Sequence, residues 1–347
     1  MNRNQQRALV AAGIGAALAV QLMRRKEEYS FKGKVVLITG GSRGLGLVLA
    51  RQFAEQGAKI AIIARDGEEL ARAERDLREM GADVLAFPCD VRVQEEAQSA
   101  VERVVNNFGR IDVLINNAGV IQVGPVEHMQ VSDFEDAMAT HTWGPLYTML
   151  AAVPHMREQG EGRIVNISSI GGRVSVPHLL PYCTSKFALV GLSDGMRAEL
   201  AKDNIKVTTV CPGLMRAGSH VNSLFKGQHE AEFTWFAVFD SLPLASIDVR
   251  RAAHQIIEVC RKGTPHLTIS FQAAVIGALN GVAPNLVAVG NKVFGRVLPG
   301  PTENVEGDET RTGWESQSKL APSILTRLND QATERNNELN GHAPLTS

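Results

Sequence analysis

Residues 39–46 read Thr39-Gly40-Gly41-Ser42-Arg43-Gly44-Leu45-Gly46, between an apolar β-branched run and a helical pattern. A glycine-rich turn in that context holds phosphate. Gly40 permits the tight turn, Gly44 lets a ligand approach the backbone, and Gly46 lets the helix pack closely on the strand. N–H groups at the helix start then face a diphosphate, so Thr39, Gly40, Ser42, Arg43, Gly44, Leu45 and Gly46 form a candidate dinucleotide site. The charge beside the adenosine ribose selects the dinucleotide. An NAD site offers a carboxylate at the end of the second strand, but that strand ends Ala64-Arg65, with no carboxylate until Asp66. Arg43 and Arg65 together suit a 2′-phosphate, through charge-assisted bonds of about 1.5–3 kcal/mol each. NADP(H) is therefore the expected cofactor; Asp66 turning inward would favour NAD(H). A second chemical pair is Tyr182 and Lys186, four residues apart and so on one face of a helix. Free tyrosine titrates near 10 and is a poor base at neutral pH. A neighbouring ammonium favours the tyrosinate.

The elements that must position these groups alternate regularly. Strands are predicted at 34–39, 59–64, 83–87, 112–115, 163–167 and 205–211. Helices are predicted at 45–56, 68–80, 94–108, 134–158 and 186–202. Near-continuous apolar strands between helices imply a parallel sheet covered on both faces. The expected fold class is α/β, a doubly wound parallel sheet in a single Rossmann-type domain.

Several landmarks then follow in order: Thr39–Gly46, Asp90-Val91, Asn116-Asn117-Ala118-Gly119, Asn166-Ile167-Ser168-Ser169, Tyr182-Cys183-Thr184-Ser185-Lys186 and Cys211-Pro212-Gly213. With Ser169 thirteen residues before Tyr182, the chain resembles the short-chain dehydrogenase/reductase family over about residues 33–271. The resemblance implies a seven-stranded sheet with its last strand near 266–270. It assigns Asp90 and Val91 to the adenine, and Asn117, Ala118 and Gly119 to a loop along the cofactor. Pro212 and Gly213 fall beside the nicotinamide. Ser169 would hold the substrate oxygen, Tyr182 would transfer the proton, and Lys186 would bind the nicotinamide ribose. Lys186 and an oxidised nicotinamide would together lower the Tyr182 pKa, and about 2–3 pH units would correspond to roughly 3–4 kcal/mol. Two positions depart from the family pattern. His141 stands where a catalytic Asn is expected, so it either substitutes in a proton relay or is a packed histidine. Arg216 and Ala217 stand where a Thr would hold the nicotinamide amide, leaving that contact to backbone or Ser219.

The 347 residues carry 36 Lys+Arg and 37 Asp+Glu, a formal net charge of -1. That balance gives no support to nucleic-acid binding. Cys89, Cys183, Cys211 and Cys260 are far apart with no metal-ligand spacing, so neither a zinc site nor a disulfide framework is expected. The ends differ from the middle. Within residues 1–29, the uncharged run Ala8 to Met23 would span roughly 24 Å as a helix, against a bilayer core of about 30 Å. Three readings stand: a membrane anchor, a signal peptide cleaved near Ala17-Leu18-Ala19, or an apolar helix packed on the protein or a partner. As an anchor, its basic C-terminal flank would leave the body in the cytoplasm. Membrane-associated or simply cytoplasmic localisation follows. Residues 30–271 form the expected catalytic domain, 272–300 an apolar C-terminal segment, and 301–347 a polar tail expected to be mobile at the surface.

The loop after the sixth strand holds Phe225, Phe233, Trp235, Phe236 and Phe239. They read either as an apolar lid over a hydrophobic substrate or as the packing of a small helix. The apolar segment 272–298 would dock to lipid, cover the pocket or form a subunit contact, and family resemblance implies a homo-oligomer. The leading expectation is an NADP(H)-dependent oxidoreductase acting on an apolar or lipid-like carbonyl or secondary alcohol. The alternative is a catalytically weak NADP(H)-binding regulatory or scaffold protein at a membrane.

Overall fold

A computed structural model describes residues 29–243, 245–303 and 305–345. The apolar run at residues 8–23, with the readings attached to it, lies outside them. Among the described residues no helix is long and apolar enough to cross a membrane. Phe31–Ser347 form one compact unit.

The unit is built on strands β1 (Val35–Thr39), β2 (Lys59–Ala64), β3 (Val84–Pro88), β4 (Val113–Asn116), β5 (Gly162–Ile167), β6 (Ile205–Pro212) and β7 (His266–Ile269). All pair in parallel, in the order β7-β6-β5-β4-β1-β2-β3. The doubly wound α/β sheet expected from the alternation is present. In β1, Val35 and Leu37 point to one face, Val36 and Ile38 to the other, and all four are fully buried. Both faces are therefore covered, which is why these strands read as unbroken apolar runs. On one face α1 (Gly44–Glu55) packs against α8 (Val249–Lys262). On the other lie α3 (Gln94–Phe108), α5 (Gly144–Gln159) and α6 (Leu180–Leu200), around a core that includes Val101, Val104, Met149, Ala152 and Val207. The helix α2 (Gly67–Glu79) covers β2 and β3.

The helical stretch predicted for 134–158 is not continuous. Helix α4 (Val131–Met138) passes into a π turn at Ala139–Trp143 before α5 begins. A π turn inserts one residue into the helix and commonly marks a functional site. Here it turns His141 toward the ends of β4 and α6.

Beyond β7, α9 (Phe271–Val282) and α10 (Pro284–Gly295) form a helical hairpin. Its outer face carries Phe271, Val282, Leu286, Val289 and Val297, with Phe271 79% exposed. Residues 301–345 are not a loose surface tail, as their composition suggested. Ser316, Ala321, Thr326, Asn329, Asp330, Ala332, Thr333, Asn336 and Glu338 are all buried. A helix α11 (Arg327–Arg335) packs on α7 (His229–Ser241). Polar residues can be interior when each finds a partner, and the partners here come from the loop after β6.

Candidate active site

At the C-terminal edge of the sheet, β1 and β4 are neighbours while their crossovers run in opposite directions, the point where such sheets bind ligands. Two loops meet there and are tied together. The Thr39 hydroxyl accepts the N–H groups of Asn117 and Ala118, each at 3.0 Å. The Asn117 amide donates to the carbonyls of Thr39 at 3.1 Å and Gly40 at 3.0 Å. A Cβ at Gly46 would collide with the Gly40 carbonyl, so the close approach of α1 to the turn requires glycine there. Below the loop, Asn116 and Asn166 bond side chain to side chain at 2.8 Å, with Thr148 and Ser193 completing a buried network.

Tyr182 and Lys186 lie in the first two turns of α6, which opens with Pro181 in its first turn. The Tyr182 hydroxyl is hydrogen-bonded by Ser169, and the Ser169 oxygen accepts the Gly171 N–H at 3.0 Å. Lys186, only 4% exposed, donates to the Ile167 carbonyl at 2.9 Å and sits 5.6 Å from the centre of the Tyr182 ring. The sequence reading has Lys186 and an oxidised nicotinamide together lowering the tyrosine; the side chains by themselves set a higher starting point. Burial pushes Tyr182 up to about 12, against the pull of the Ser169 hydrogen bond. Burial also pushes Lys186 down to about 7, so above that value it offers the phenol little positive charge.

His141 is buried between the loop after β4 and α6. Its Nε2 accepts the Val120 N–H at 3.1 Å, and its Nδ1 lies 2.8 Å from Ser185 Oγ. Its ring meets the Tyr182 ring edge-on, 5.5 Å between centres. Burial, then the Lys186 charge, hold it well below the ordinary imidazole range. It is a neutral ring with both nitrogens engaged, and the accepting Nε2 places the hydrogen on Nδ1.

A single cleft of about 770 Å³ collects these groups. At one end it is lined by Arg65, Asp90 and Val91, along its floor by Gly40, Ser42, Arg43, Gly44 and Leu45, then by Asn117, Ala118 and Gly119. At the far end stand His141, Ser169, Tyr182, Lys186, Pro212 and Gly213. Thr39 and Gly46 are not in the lining; they hold the turn from beneath. Ser219 lines the cleft, whereas Arg216 turns away to bond Ser246. Asp66 lines the cleft as well, and its Oδ1 caps α2, accepting the N–H groups of Glu68 at 2.8 Å and Glu69 at 2.9 Å. The four cysteines are buried and unpaired, and no metal-ligating cluster exists among the described residues.

The aromatic cluster is packing rather than a lid surface. Phe225, Phe233 and Phe236 meet one another in a small core with Val123 and Ala321, and Trp235 and Phe239 meet Phe294 of α10. None of the five lines the cleft; Ile121, Met215 and Leu224 do. Sequence reasoning also missed Glu69, Asn222, Glu338 and Asn340, which complete the wall near the glycine turn. Glu69 accepts from Ser42 Oγ at 2.9 Å and pairs with Arg43 at 2.8 Å. Burial raises the Glu338 carboxyl, against the opposing pull of Arg43 and Asn222. The signal that marks the last two is the run Asn336-Asn337-Glu338-Leu339-Asn340-Gly341. In it Asn337 (φ 60°), Asn340 (φ 48°) and Gly341 (φ 82°) all adopt the left-handed backbone that Asn and Gly tolerate.

A parallel sheet with a glycine turn at its switch point, and a serine, tyrosine and lysine at the other end of one cleft, define a nicotinamide-dependent oxidoreductase. The chain belongs to the short-chain dehydrogenase family, whose model matches residues 34–227. It is 39% identical over 184 residues to an uncharacterized oxidoreductase of Thermotoga maritima, covering 53% of this chain and 72% of that one. The fold is similar to that of NAD+-bound xylitol dehydrogenase, with TM-score 0.61, 28% identity, and coverage of 70% of this chain and 99% of the other. It is also similar to L-sorbose reductase from Gluconobacter frateurii, solved with NADPH and L-sorbose. There the TM-score is 0.63, the identity 26%, and the coverage 70% and 97%.

Proposed function

We propose that this protein interconverts a carbonyl bearing apolar substituents and the matching secondary alcohol, using NADP(H). The observation that carries the reading is the joining, in one cleft, of Ser169, Tyr182 and Lys186 with the Ser42–Arg43 turn and Arg65. The cofactor would supply or accept hydride. Tyr182, a neutral phenol far above pH 7, would donate its proton to the carbonyl oxygen in reduction. Ser169 would add a hydrogen bond that strengthens as that oxygen gains charge. Lys186 would hold the nicotinamide ribose. His141 would act as a positioning residue: its two ring bonds tie the Val120 backbone to Ser185, three residues beyond Tyr182 on α6.

The NADP(H) preference is supported by two features. Capping of α2 engages one oxygen of Asp66, the carboxylate that an NAD ribose would use. Arg43 and Arg65 both line that end of the cleft. Ile121, Met215 and Leu224 near the catalytic end support an apolar substrate. The test is the initial rate of dinucleotide oxidation by the full chain against carbonyls from short ketones and a ketose to long-chain and polycyclic ketones. Tyr182→Phe should lose about 10³-fold in kcat. NADPH should exceed NADH in kcat/KM, and rates should rise with apolar size. Normal turnover in Tyr182→Phe would remove the mechanism, an NADH preference would remove the cofactor assignment, and activity confined to the ketose would remove the substrate class.

A further inference from the structure

Residues 336–338 lie on the glycine turn. After α11 the Asn336 carbonyl accepts the Gly44 N–H at 2.9 Å, at the first residue of α1. The Asn337 amide donates to the carbonyls of Ser42 at 2.8 Å and Glu69 at 3.1 Å, and accepts from Arg72 at 2.8 Å. Glu338 follows, 1% exposed. Its Oε2 lies 3.3 Å from Arg43 Nε and accepts from the Asn222 amide at 2.7 Å. Its Oε1 stands 2.6 Å from where a Cβ on Gly44 would be.

These are the groups that a diphosphate would engage: the N–H at a helix start, the open face of a turn glycine and the adjacent arginine. The tail satisfies them with a peptide carbonyl and a carboxylate, so Glu338 stands where phosphate oxygens would. We propose that the segment Asn336–Glu338 is an internal occupant of the phosphate cradle and competes with the dinucleotide, which binds only as this strap leaves the turn. Two anionic groups cannot share Gly44 and Arg43, because Glu69 already takes part of the Arg43 charge at 2.8 Å. The strap has a firm root from which to swing. Asn329 on α11 accepts the Gly218 N–H at 2.8 Å and donates to Asp240 at 2.8 Å, while Asp330 meets His220 at 3.2 Å. Displacement therefore needs to free only the residues after α11, and Arg43 is released with them to meet a 2′-phosphate.

This inference rests on the dinucleotide reading of the cleft. The test is a binding titration of NADPH, NADH, inorganic pyrophosphate and adenosine to the full chain and to Glu338→Gln, which keeps the shape and removes the charge. Hydrogen exchange of peptides covering 336–345 is followed with and without NADPH. Glu338→Gln should bind both dinucleotides and pyrophosphate at least tenfold tighter, with adenosine unchanged, and NADPH should speed exchange in 336–340 of the unaltered chain. Asn222→Ala, which loosens the hold on Glu338, should act in the same direction and serves if the first variant does not fold. Equal or weaker dinucleotide binding by the variants would overturn the proposal. So would slower exchange on adding NADPH, which would make the segment a lid that closes over the cofactor. Binding of neither dinucleotide by any of the proteins would overturn the cofactor reading itself, and the strap with it.

Discussion

Lys186 is held in the fold at a cost that can be measured. Its amine is displaced from the ordinary 10.5 to about 7 by burial. At about 1.36 kcal/mol per pH unit, the folded chain below pH 7 carries about 5 kcal/mol of unfavourable charge burial. Lys186→Met keeps the straight apolar stem and removes the ammonium. It also removes the bond to the Ile167 carbonyl, and leaving that buried acceptor unpaired costs about 1–3 kcal/mol. The net expectation is a variant more stable than the parent by about 3 kcal/mol at pH 7 and below.

The sign with pH is fixed by linkage. The folded value lies below the unfolded one, so between about pH 7 and 10.5 the unfolded chain holds more protons, and the parent gains stability as pH rises. The advantage of Lys186→Met therefore shrinks by about 1.4 kcal/mol per unit above pH 7 and is close to nil near pH 9. Urea unfolding of both proteins at pH 6.5, 7.5 and 8.5, followed by circular dichroism, reads the difference directly. Activity in the same samples should fall with the lysine. A variant less stable than the parent at pH 6.5, or a difference that does not change with pH, would refute the claim that burial governs this amine.

Two further substitutions test the supports of the site. Gly46→Ala drives a methyl into the Gly40 carbonyl and within 2.7 Å of the Asn117 amide; it should cost about 1–3 kcal/mol in thermal stability and at least tenfold in dinucleotide affinity, and an unchanged Kd would refute the packing argument. Asn329→Ala strips partners from Asp240, the Gly218 N–H and His220 at once; a loss of about 3 kcal/mol in urea unfolding is expected, and a loss within 0.5 kcal/mol, about the scatter of an ordinary surface substitution, would mean the tail is not anchored there.

The sheet and most of its helices were legible because each rests on local periodicity. Helix 94–108 matches its predicted limits, and the apolar runs ending at Thr39, Ala64 and Ile167 became strands. The joining of Ser169, Tyr182 and Lys186 in one cleft was legible because they keep spacings that geometry then brings together. What local pattern could not carry were contacts made at long range. The π turn at Ala139–Trp143 is stabilised by His141 bonds to Val120 and Ser185, 21 and 44 residues away. The aromatic side chains could be counted, but their orientation depends on Ala321 and Phe294, which arrive about 60–100 residues later in the chain. The polarity of the tail suggests exposure, whereas Asn329, Asn336 and Glu338 are interior and paired with residues more than 80 positions back. Spacing places a lysine beside Tyr182, but only the packed fold shows that burial opposes the charged form of both groups.

Lys186 and Glu338 both line the cleft. Each is buried, and each is pushed toward its neutral form by that burial. Proteins keep such strain at sites where a ligand relieves it. A dinucleotide would bring negative charge toward Lys186, favouring its ammonium, while the strap that carries Glu338 moves to solvent. Relief at Lys186 adds to the binding free energy, and loss of the strap contacts at Gly44, Arg43 and Arg72, to which the Glu338 charge contributes, subtracts from it. The net thermal stabilisation by NADPH should thus be larger in Glu338→Gln than in the unaltered chain, and smaller in Lys186→Met. An equal shift in all three would mean that neither group is linked to the cofactor.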